Sequence, residues 1–370
     1  MPYPIKKLGD CLVQFDRGIS WSRKDEGGAI AVLRIPNIQE GHINLDDLKY
    51  ISAKNGNGEL LKNDIVMVAS NGNPDLVGRS ALVTEKEGGT RFASFLIRLR
   101  FDSTKLLPQY AHLFLLTPTF KRELRRKIAT TSGIYNLKKD HIEKIKIPLP
   151  SLKVQKQIVE RLDKIAEAQK LQGELIQKAD ELFQSLLHQE LNPAGKDWEM
   201  KKLGEVLEYE QPTKYLVIST DYKDEYPIPV LTAGKSFVLG NTNEKDGIFP
   251  KEKLPVIIFD DFTTAIKFVN FPFKVKSSAM KILHAKKNEA DIRFMFYKML
   301  TIKFSHDQHK RYWISECSNL KIPLPSLKVQ KQIVAKLSAA QEYKSQLLAQ
   351  KSKLKELFDS VLSKSMHSKL

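Results

Sequence analysis

Few residues in this chain stand at spacings that could do covalent chemistry. Asp260 and Asp261 are paired carboxylates, but no Asp, Glu or His lies at ligand spacing. They close the apolar run PVIIF, as turn or strand-end residues do. HDQHKR (His306–Arg311) offers two histidines, too few for a metal site, and Lys310 and Arg311 beside them suit phosphate contact better. AGKS at Ala233–Ser236 matches the end of a phosphate loop, yet the required earlier glycine falls at Pro229, which leaves a basic turn at a strand end. No glycine-rich methyl-donor loop precedes an Asn/Asp-Pro-Pro-aromatic motif. The nearest strings, NGNP at Asn71–Pro74 and NPAG at Asn192–Gly195, hold one proline each. Cys11 and Cys317 are far apart, without ligand spacing, as expected of a reducing cytoplasm with no zinc or disulfide framework. The reading is of a chain that catalyses nothing itself and binds no metal or cofactor.

Recognition chemistry is better represented. The 370 residues carry 60 basic and 43 acidic side chains, a net charge of +17. Residues 1–150 alone hold 24 basic against 16 acidic groups, whereas residues 151–192 hold 6 against 7. A localised positive excess points to a polyanion such as double-stranded DNA. Lys121, Arg122, Arg125 and Arg126 in KRELRRK, with Lys310 and Arg311, are candidate phosphate contacts. Arg34 and Asn37 in RIPNI carry the donor patterns that read guanine and adenine; a hydrogen-bonded turn and a solvated cation would use the same residues. Thr232, Lys235, Thr263, Thr264, Ser277 and Ser278 are further donors and acceptors that either touch DNA or orient loops.

The elements that position these groups follow from a repeat. KIPLPSLKVQKQIV occurs at Lys146–Val159 and, unchanged, at Lys321–Val334; KKLG occurs at Lys6–Gly9 and again at Lys201–Gly204. The echoes keep their order, so the chain is two copies of one layout with alike ends and diverged interiors. In the first copy, Ala29–Ile38, Asp64–Ala69 and Arg91–Phe101 read as strands between Gly, Asn and Pro turns, followed by a helix over Pro108–Ile128 interrupted at Pro118. In the second, strands are expected at Tyr226–Thr232, Pro255–Phe259, Ala265–Phe271 and Ala279–His284, and a helix at Glu289–Ile302.

After each copy the period changes. Pro148 and Pro150, like Pro323 and Pro325, hold the chain extended, and Ser151 and Ser326 stand where an N-cap belongs, without the Glu or Gln of a capping box. Ile158, Leu162, Ile165, Ala168, Leu171, Leu175, Ala179, Leu182 and Leu186 then step by threes and fours, averaging about 3.5. Ile333, Leu337, Ala340, Tyr343, Leu347, Leu354, Phe358 and Val361 largely repeat the pattern, with polar Gln350 and Lys351 interrupting it. These are two long amphipathic helices with a coiled-coil seam, pairing antiparallel with each other or with a second subunit. The expected fold is α+β: two mixed α/β domains joined by two long antiparallel coiled-coil helices, with a pseudo-two-fold internal repeat.

The doubled IPLPSLKVQKQIV at residues 147–159 and 322–334, each opening a long helix, resembles the specificity subunit (HsdS) of type I restriction-modification systems. So do LRIPNIQEGHINLDDLKYIS at Leu33–Ser52, EYEQPTKYLV at Glu208–Val217, PVLTAGKSF at Pro229–Phe237, PVIIFDDFTTA at Pro255–Ala265 and KSSAMKIL at Lys276–Leu283. The resemblance covers essentially the whole chain. It implies target recognition domains that each read half of a bipartite, asymmetric DNA site. It implies helices that fix the spacer and dock two HsdM methyltransferase subunits, which carry S-adenosylmethionine. HsdR nuclease-translocase subunits can join. Lys214 and Lys276, within the resembling strings, become DNA-contact candidates. Ile158, Leu162, Ile165, Leu175, Leu182, Leu186, Ile333, Leu337, Leu347, Leu354 and Val361 become the coiled-coil and docking set.

The expected division is a first recognition domain over 1–150, a first spacer helix and turn over 151–195, a second recognition domain over 196–325 and a second spacer helix over 326–370. No run approaches the ~20 apolar residues of a membrane span, and MPYPIKKLGD lacks a signal-peptide core, so a cytoplasmic location is expected. Two other classes fit less of the sequence: a coiled-coil scaffold with protein-binding end domains, and a divergent fused DNA methyltransferase or nuclease.

Overall fold

The computed structural model describes residues 3–52, 58–131, 133–232, 237–302 and 312–366. Two compact units result: Met1–Gly173 with Gln350–Leu370, and Glu174–Ala349. In the first unit the strands are β1 (Ile5–Lys7), β2 (Leu12–Arg17), β3 (Glu26–Leu33), β4 (Lys49–Ile51), β5 (Ile65–Val68), β6 (Ser70–Asn71), β7 (Ser80–Leu82), β8 (Arg91–Phe92), β9 (Leu96–Phe101), β10 (Ala129–Thr131), β11 (Ile134–Asn136) and β12 (Lys146–Pro148). Its helices are α1 (Pro108–Leu115), α2 (Pro118–Lys127), α3 (Lys139–Glu143) and the start of α4 (Leu152–Leu191). The second unit holds β13 (Glu199–Lys202), β14 (Leu207–Glu210), β15 (Ile228–Leu231), β16 (Val238–Thr242), β17 (Val256–Asp260), β18 (Ile266–Val269), β19 (Lys274–Val275), β20 (Met280–Ala285) and β21 (Lys321–Leu324). Its helices are α5 (Leu203–Val206), α6 (Ile292–Leu300), α7 (Tyr312–Ser315) and the start of α8 (Leu327–Met366). The expected break near Pro118 falls between α1 and α2, and Arg91–Phe101 divides into β8 and β9. No helix among the described residues is long and apolar enough to cross a membrane.

Both units share two sheets of one topology, to which the first adds a three-stranded sheet, β10-β11-β6. A four-stranded sheet runs β2-β9-β5-β7 in the first and β14-β20-β17-β18 in the second. A three-stranded sheet runs β4-β3-β8 and β16-β15-β19, its last pair parallel in each case. The central strands are buried on both faces, which is why their sequences are unbroken apolar runs. Alternation sorts their side chains. Ile65 and Met67, like Ile257 and Phe259, face the core that holds the helices. Val66 and Val68, like Val256 and Ile258, face the core under the three-stranded sheet.

The two repeated strings pair with each other. Lys6 lies opposite Ile147 and Lys7 opposite Lys146; Lys201 lies opposite Ile322 and Lys202 opposite Lys321. The next residue continues the match, since the Leu8 amide donates to Ile145 O and the Leu203 amide to Leu320 O, each at 2.9 Å. The glycine of KKLG sits at a close approach: a Cβ on Gly9 would come within 3.0 Å of Glu143 Cβ, and one on Gly204 within 3.1 Å of Ser318 Cβ and its carbonyl, so a larger residue would have to push its neighbour aside. Each domain is thus closed by a small ribbon built from its own first and last segments.

The ribbon leads into a long helix held by a glutamine that is 0% exposed in both copies. The Leu107 amide donates to Gln155 Oε1 at 2.8 Å, and Gln155 Nε2 donates to Lys105 O and Pro150 O. The Asp291 amide donates to Gln330 Oε1 at 2.8 Å, and Gln330 Nε2 donates to Glu289 O and Pro325 O. Leu107 and Asp291 are the N-cap residues of α1 and α6. The same side chain therefore ties the first turn of each long helix to the start of the helix packed on its sheet. The Ser151 and Ser326 carbonyls accept the first helical bonds, from Gln155 and Gln330, as expected of N-cap residues.

The long helices pair antiparallel within the chain. In the first unit Gln169 Nε2 donates to Leu354 O and Gln172 Nε2 to Gln350 Oε1, each at 3.1 Å; in the second Lys344 pairs with Asp180 and Lys336 with Glu190. The polar break expected at Gln350 is met by a polar partner. Ile158 and Leu162 enter the first unit's core together with Leu362 and Met366. Phe183, Leu187 and Leu191 enter the second unit's core with Ile333 and Leu337.

The seam needs a correction. Leu171, Leu175 and Leu182 are 53%, 43% and 51% exposed, and Tyr343 also faces solvent. Beyond Ile165 the buried positions are Gln172, Ala179, Phe183, Leu187 and Leu191. A strict 3.5 repeat drifts about 20° per heptad on a straight helix. Four heptads separate Ile158 from Leu186, so the drift reaches about 80°, most of the 100° between neighbouring residues. Burial moves accordingly to Phe183 and Leu187, one residue past Leu182 and Leu186. On α8 it moves from Val361 to Leu362, leaving Val361, Leu354, Ile165 and Leu186 half-buried.

Replacing Gln330 with Ala should leave the Asp291 amide and the Glu289 and Pro325 carbonyls short of a partner. Each buried unpaired group costs about 1–3 kcal/mol. Denaturant unfolding should show the second unit destabilised by at least about 2 kcal/mol, while the exposed neighbour change Lys331→Ala should stay within about 0.5 kcal/mol. Equal effects of the two changes would contradict a glutamine clamp.

Candidate nucleic-acid interface

In the second domain the backbone gathers several of the candidate residues at one end of the sheets. The Lys276 amide donates to Leu231 O at 2.8 Å, which sets Lys276 beside Thr232. The Asp261 amide donates to Ala279 O at 3.2 Å, which sets the Asp260–Ala265 turn beside Ser277 and Ser278. Lys276, Ser278, Phe262 and Thr263 are exposed there. The turn is braced from within: the Phe262 amide donates to Asp260 Oδ1 at 3.0 Å, the Thr263 hydroxyl to Asp260 Oδ2, and the Thr264 amide to Asp260 O at 2.9 Å. Asp261 is anchored inward, accepting from the Trp313 amide at 2.8 Å and pairing with Lys281 at 3.4 Å, with both side chains buried. These carboxylates hold a turn. Among the described residues no group of three or more His, Cys, Asp or Glu could hold a metal.

Not every candidate is free to touch a ligand. Thr264 is buried in the left-handed region at φ 57°, its hydroxyl donating to Thr263 O, so it shapes the turn and offers nothing outward. Ser277 Oγ accepts from the Ala279 amide, an orienting role. Lys214 is exposed but lies two residues before Leu216, which pairs in parallel with Val275, so it stands before the start of β19 and away from Lys276. Lys235, Lys310 and Arg311 lie outside the described residues.

The first domain repeats the arrangement. The Ala93 amide donates to Leu33 O at 2.9 Å and the Ala69 amide to Phe95 O at 2.8 Å, matching the bonds at Leu231 and Ala279. The Leu137 amide donates to Ala69 O as the Tyr312 amide does to Asp261 O. The equivalent end therefore presents Asn71, Ser94, Phe95 and Arg17, whose guanidinium donates to Ser70 Oγ, Ser94 O and Leu137 O. None of these was legible as a set in the sequence. They come from three separate segments, and only the strand order joins them.

Asn37 and Arg34 require correction as base readers. Asn37 is 2% exposed; its Oδ1 accepts from the Arg34 amide, and its Nδ2 donates to Asn44 O and Asp47 O. Arg34 pairs with Asp47 at 2.7 Å. A short polar side chain at a turn satisfies backbone first, and here it fixes the 34–47 loop.

The basic helix α2 flanks this end of the first domain. Lys121 pairs with Glu40 and Arg125 with Asp75, the latter in the turn after β6, across a small cleft of about 110 Å³. Arg126 pairs with Glu123 at 3.3 Å. Arg122 is exposed and makes no ion pair among the described residues. The cysteines are no nucleophiles: burial raises the thiol pKa of both, that of Cys317 to about 12.

A family model described as type I restriction modification DNA specificity domain matches residues 5–181 and 195–356. The chain is 46% identical over 175 residues to the EcoR124I/EcoR124II specificity subunit of Escherichia coli, an alignment covering 45% of this chain and 43% of that one. It is 24% identical to the putative MjaX specificity subunit of Methanocaldococcus jannaschii, across 99% of this chain and 92% of that protein. The crystal structure of the type I S subunit from M. genitalium superposes with a TM-score of 0.63 at 14% identity, over 98% of this chain and 96% of that one. A second solved chain, from work on assembly and conformational transition of the type I R-M system, gives 0.64 at 17%, over 100% and 98%. At such identities these structures speak for the fold.

If α2 tracks phosphates, Arg122→Ala should weaken duplex binding about equally for all sequences and reduce the magnitude of the log–log salt slope by about 1. Fluorescence anisotropy titrations at several salt concentrations measure both. A changed sequence preference with an unchanged slope would instead make Arg122 a base reader.

Proposed function

Because the chain belongs to the type I restriction-modification DNA specificity family, we propose that it is the non-catalytic DNA-recognition subunit of such a complex. Each domain reads one half of a bipartite, asymmetric target. The observation that carries this reading is one sheet topology used twice, with equivalent ends that present different side chains: Arg17, Asn71, Ser94 and Phe95 in one, Phe262, Thr263, Lys276 and Ser278 in the other. A shared frame with two unlike reading surfaces is what an asymmetric target requires. The positive charge supplies sequence-independent affinity, and the braced loops supply discrimination.

On this reading α4 and α8 set the unread spacer and dock two HsdM methyltransferase subunits, which would hold S-adenosylmethionine. The exposed Leu175 and Leu182, freed from the seam by its drift, give that docking apolar surface. HsdR subunits would join a restricting form of the complex. DNA and methyltransferase act in the cytoplasm, where this chain is proposed to work.

The test is methylation mapping of cells that carry this chain with its methyltransferase subunit, compared with a lengthened variant. Four residues inserted both after Gly173 in α4 and after Ala349 in α8 add about 6 Å and roughly 1.1 helical turns to each helix. The preferred spacer should grow by about one or two base pairs at about 3.4 Å per step, with both half-sites unchanged. An unchanged spacer at full activity would show that the helices do not measure distance.

A further inference from the structure

Resting on the DNA-reading function proposed above, we infer that Phe95 and Phe262 are equivalent apolar base readers, each seated against a thymine methyl group in its own half-site. The two residues are 55% and 46% exposed. They occupy the two sides of one conserved backbone bond. In the first domain the Ala69 amide donates to Phe95 O; in the second the Asp261 amide donates to Ala279 O, and Phe262 follows Asp261 directly. An aromatic side chain thus stands at the same end of both domains, on the loop that enters β9 in the first and on the turn that leaves β17 in the second.

Single exposed apolar residues are ordinary. Three features set this pair apart. Both are held rigidly: the Phe95 carbonyl accepts from the Ala69 and Ser70 amides, and the Phe262 amide is bound by Asp260. Both stand among groups that hydrogen-bond base edges or phosphates, Ser94, Asn71 and Arg17 in one case and Thr263, Ser278 and Lys276 in the other. Both are about half covered, so each keeps apolar surface open to a ligand on a backbone that is pinned in place. A half-covered ring beside hydrogen-bonding groups suits the one apolar feature of the major groove, the thymine C5-methyl.

The experiment uses the full-length chain and a duplex carrying its mapped target, with thymines replaced one at a time by uracil, which removes only the methyl group. Burying one methyl-sized group is worth a factor of about four in affinity. One thymine in each half-site should show a loss of that size. In Phe95→Ala the loss at the first half-site should vanish while that at the second persists, and Phe262→Ala should do the reverse. Exposed positions tolerate these changes, and the wild-type scan decides even if a variant does not fold. No thymine with such a loss, or losses that both substitutions leave intact, would overturn the inference. Failure of the wild-type chain to prefer the mapped duplex over a scrambled one would instead overturn the recognition function itself.

Discussion

A buried glutamine cannot leave its amide unpaired, and this chain exploits that demand twice. Gln155 and Gln330 each join three backbone segments: the turn before the long helix, the residue capping the domain's helix, and a carbonyl just ahead of it. With water excluded, the amide has no alternative partners, so the angle between domain and helix is fixed by hydrogen-bond geometry. The strand ribbons just before each helix, Lys6 opposite Ile147 and Lys201 opposite Ile322, complete the joint. Every residue of the joint lies in the repeated strings or pairs with them, which gives a physical reason for a fourteen-residue identity between two otherwise diverged halves. Any drift in either joint would move a reading surface relative to its helix.

The division of labour follows from where backbone bonds are conserved. Equivalent bonds at Leu33 and Leu231, at Ala69 and Asp261, and at Leu137 and Tyr312 hold the same end of each domain in one frame. The side chains mounted on that frame differ. Arg17 and Lys276 stand on that frame, and several other cations of the first domain are committed at home: Lys121 to Glu40, Arg125 to Asp75, Arg34 to Asp47. A phosphate that engages Lys121 or Arg125 must compete with a carboxylate already in place, which tempers the affinity that a charge of +17 would otherwise confer.

Much of the fold was legible in the sequence. The repeat announced two copies, the prolines and Ser151 and Ser326 marked the helix starts, and the apolar runs at Asp64–Ala69 and Pro255–Phe259 read as strands, which the fold realises as β5 and β17 with both faces covered. The seam was legible in part: Ile158, Leu162, Ala179, Ile333, Leu337 and Leu347 are buried as the pattern expects. Choosing leucines at a 3.5 period also favoured Leu175 and Leu182, whereas the helix buries Phe183 and a polar Gln172 opposite Gln350. At the candidate site, Thr263, Lys276 and Ser278 were legible as polar strings, but their meeting depends on strand order. Arg17 and Phe95 were invisible because nothing local marks them. Asn37 misled because the hydrogen-bonding edge that could read adenine also closes a turn.

The central claim is that one frame carries interchangeable readers. Replacing residues 205–320, the interior of the second copy, by residues 10–145, the interior of the first, keeps both ribbons and both glutamine joints. Methylation mapping of this duplicated chain with its methyltransferase subunit is the most direct test. The target should become two copies of the first half-site, with no trace of the second. A folded protein that still required the original second half-site would contradict the claim, because specificity would then reside in the shared frame rather than in the interiors it carries.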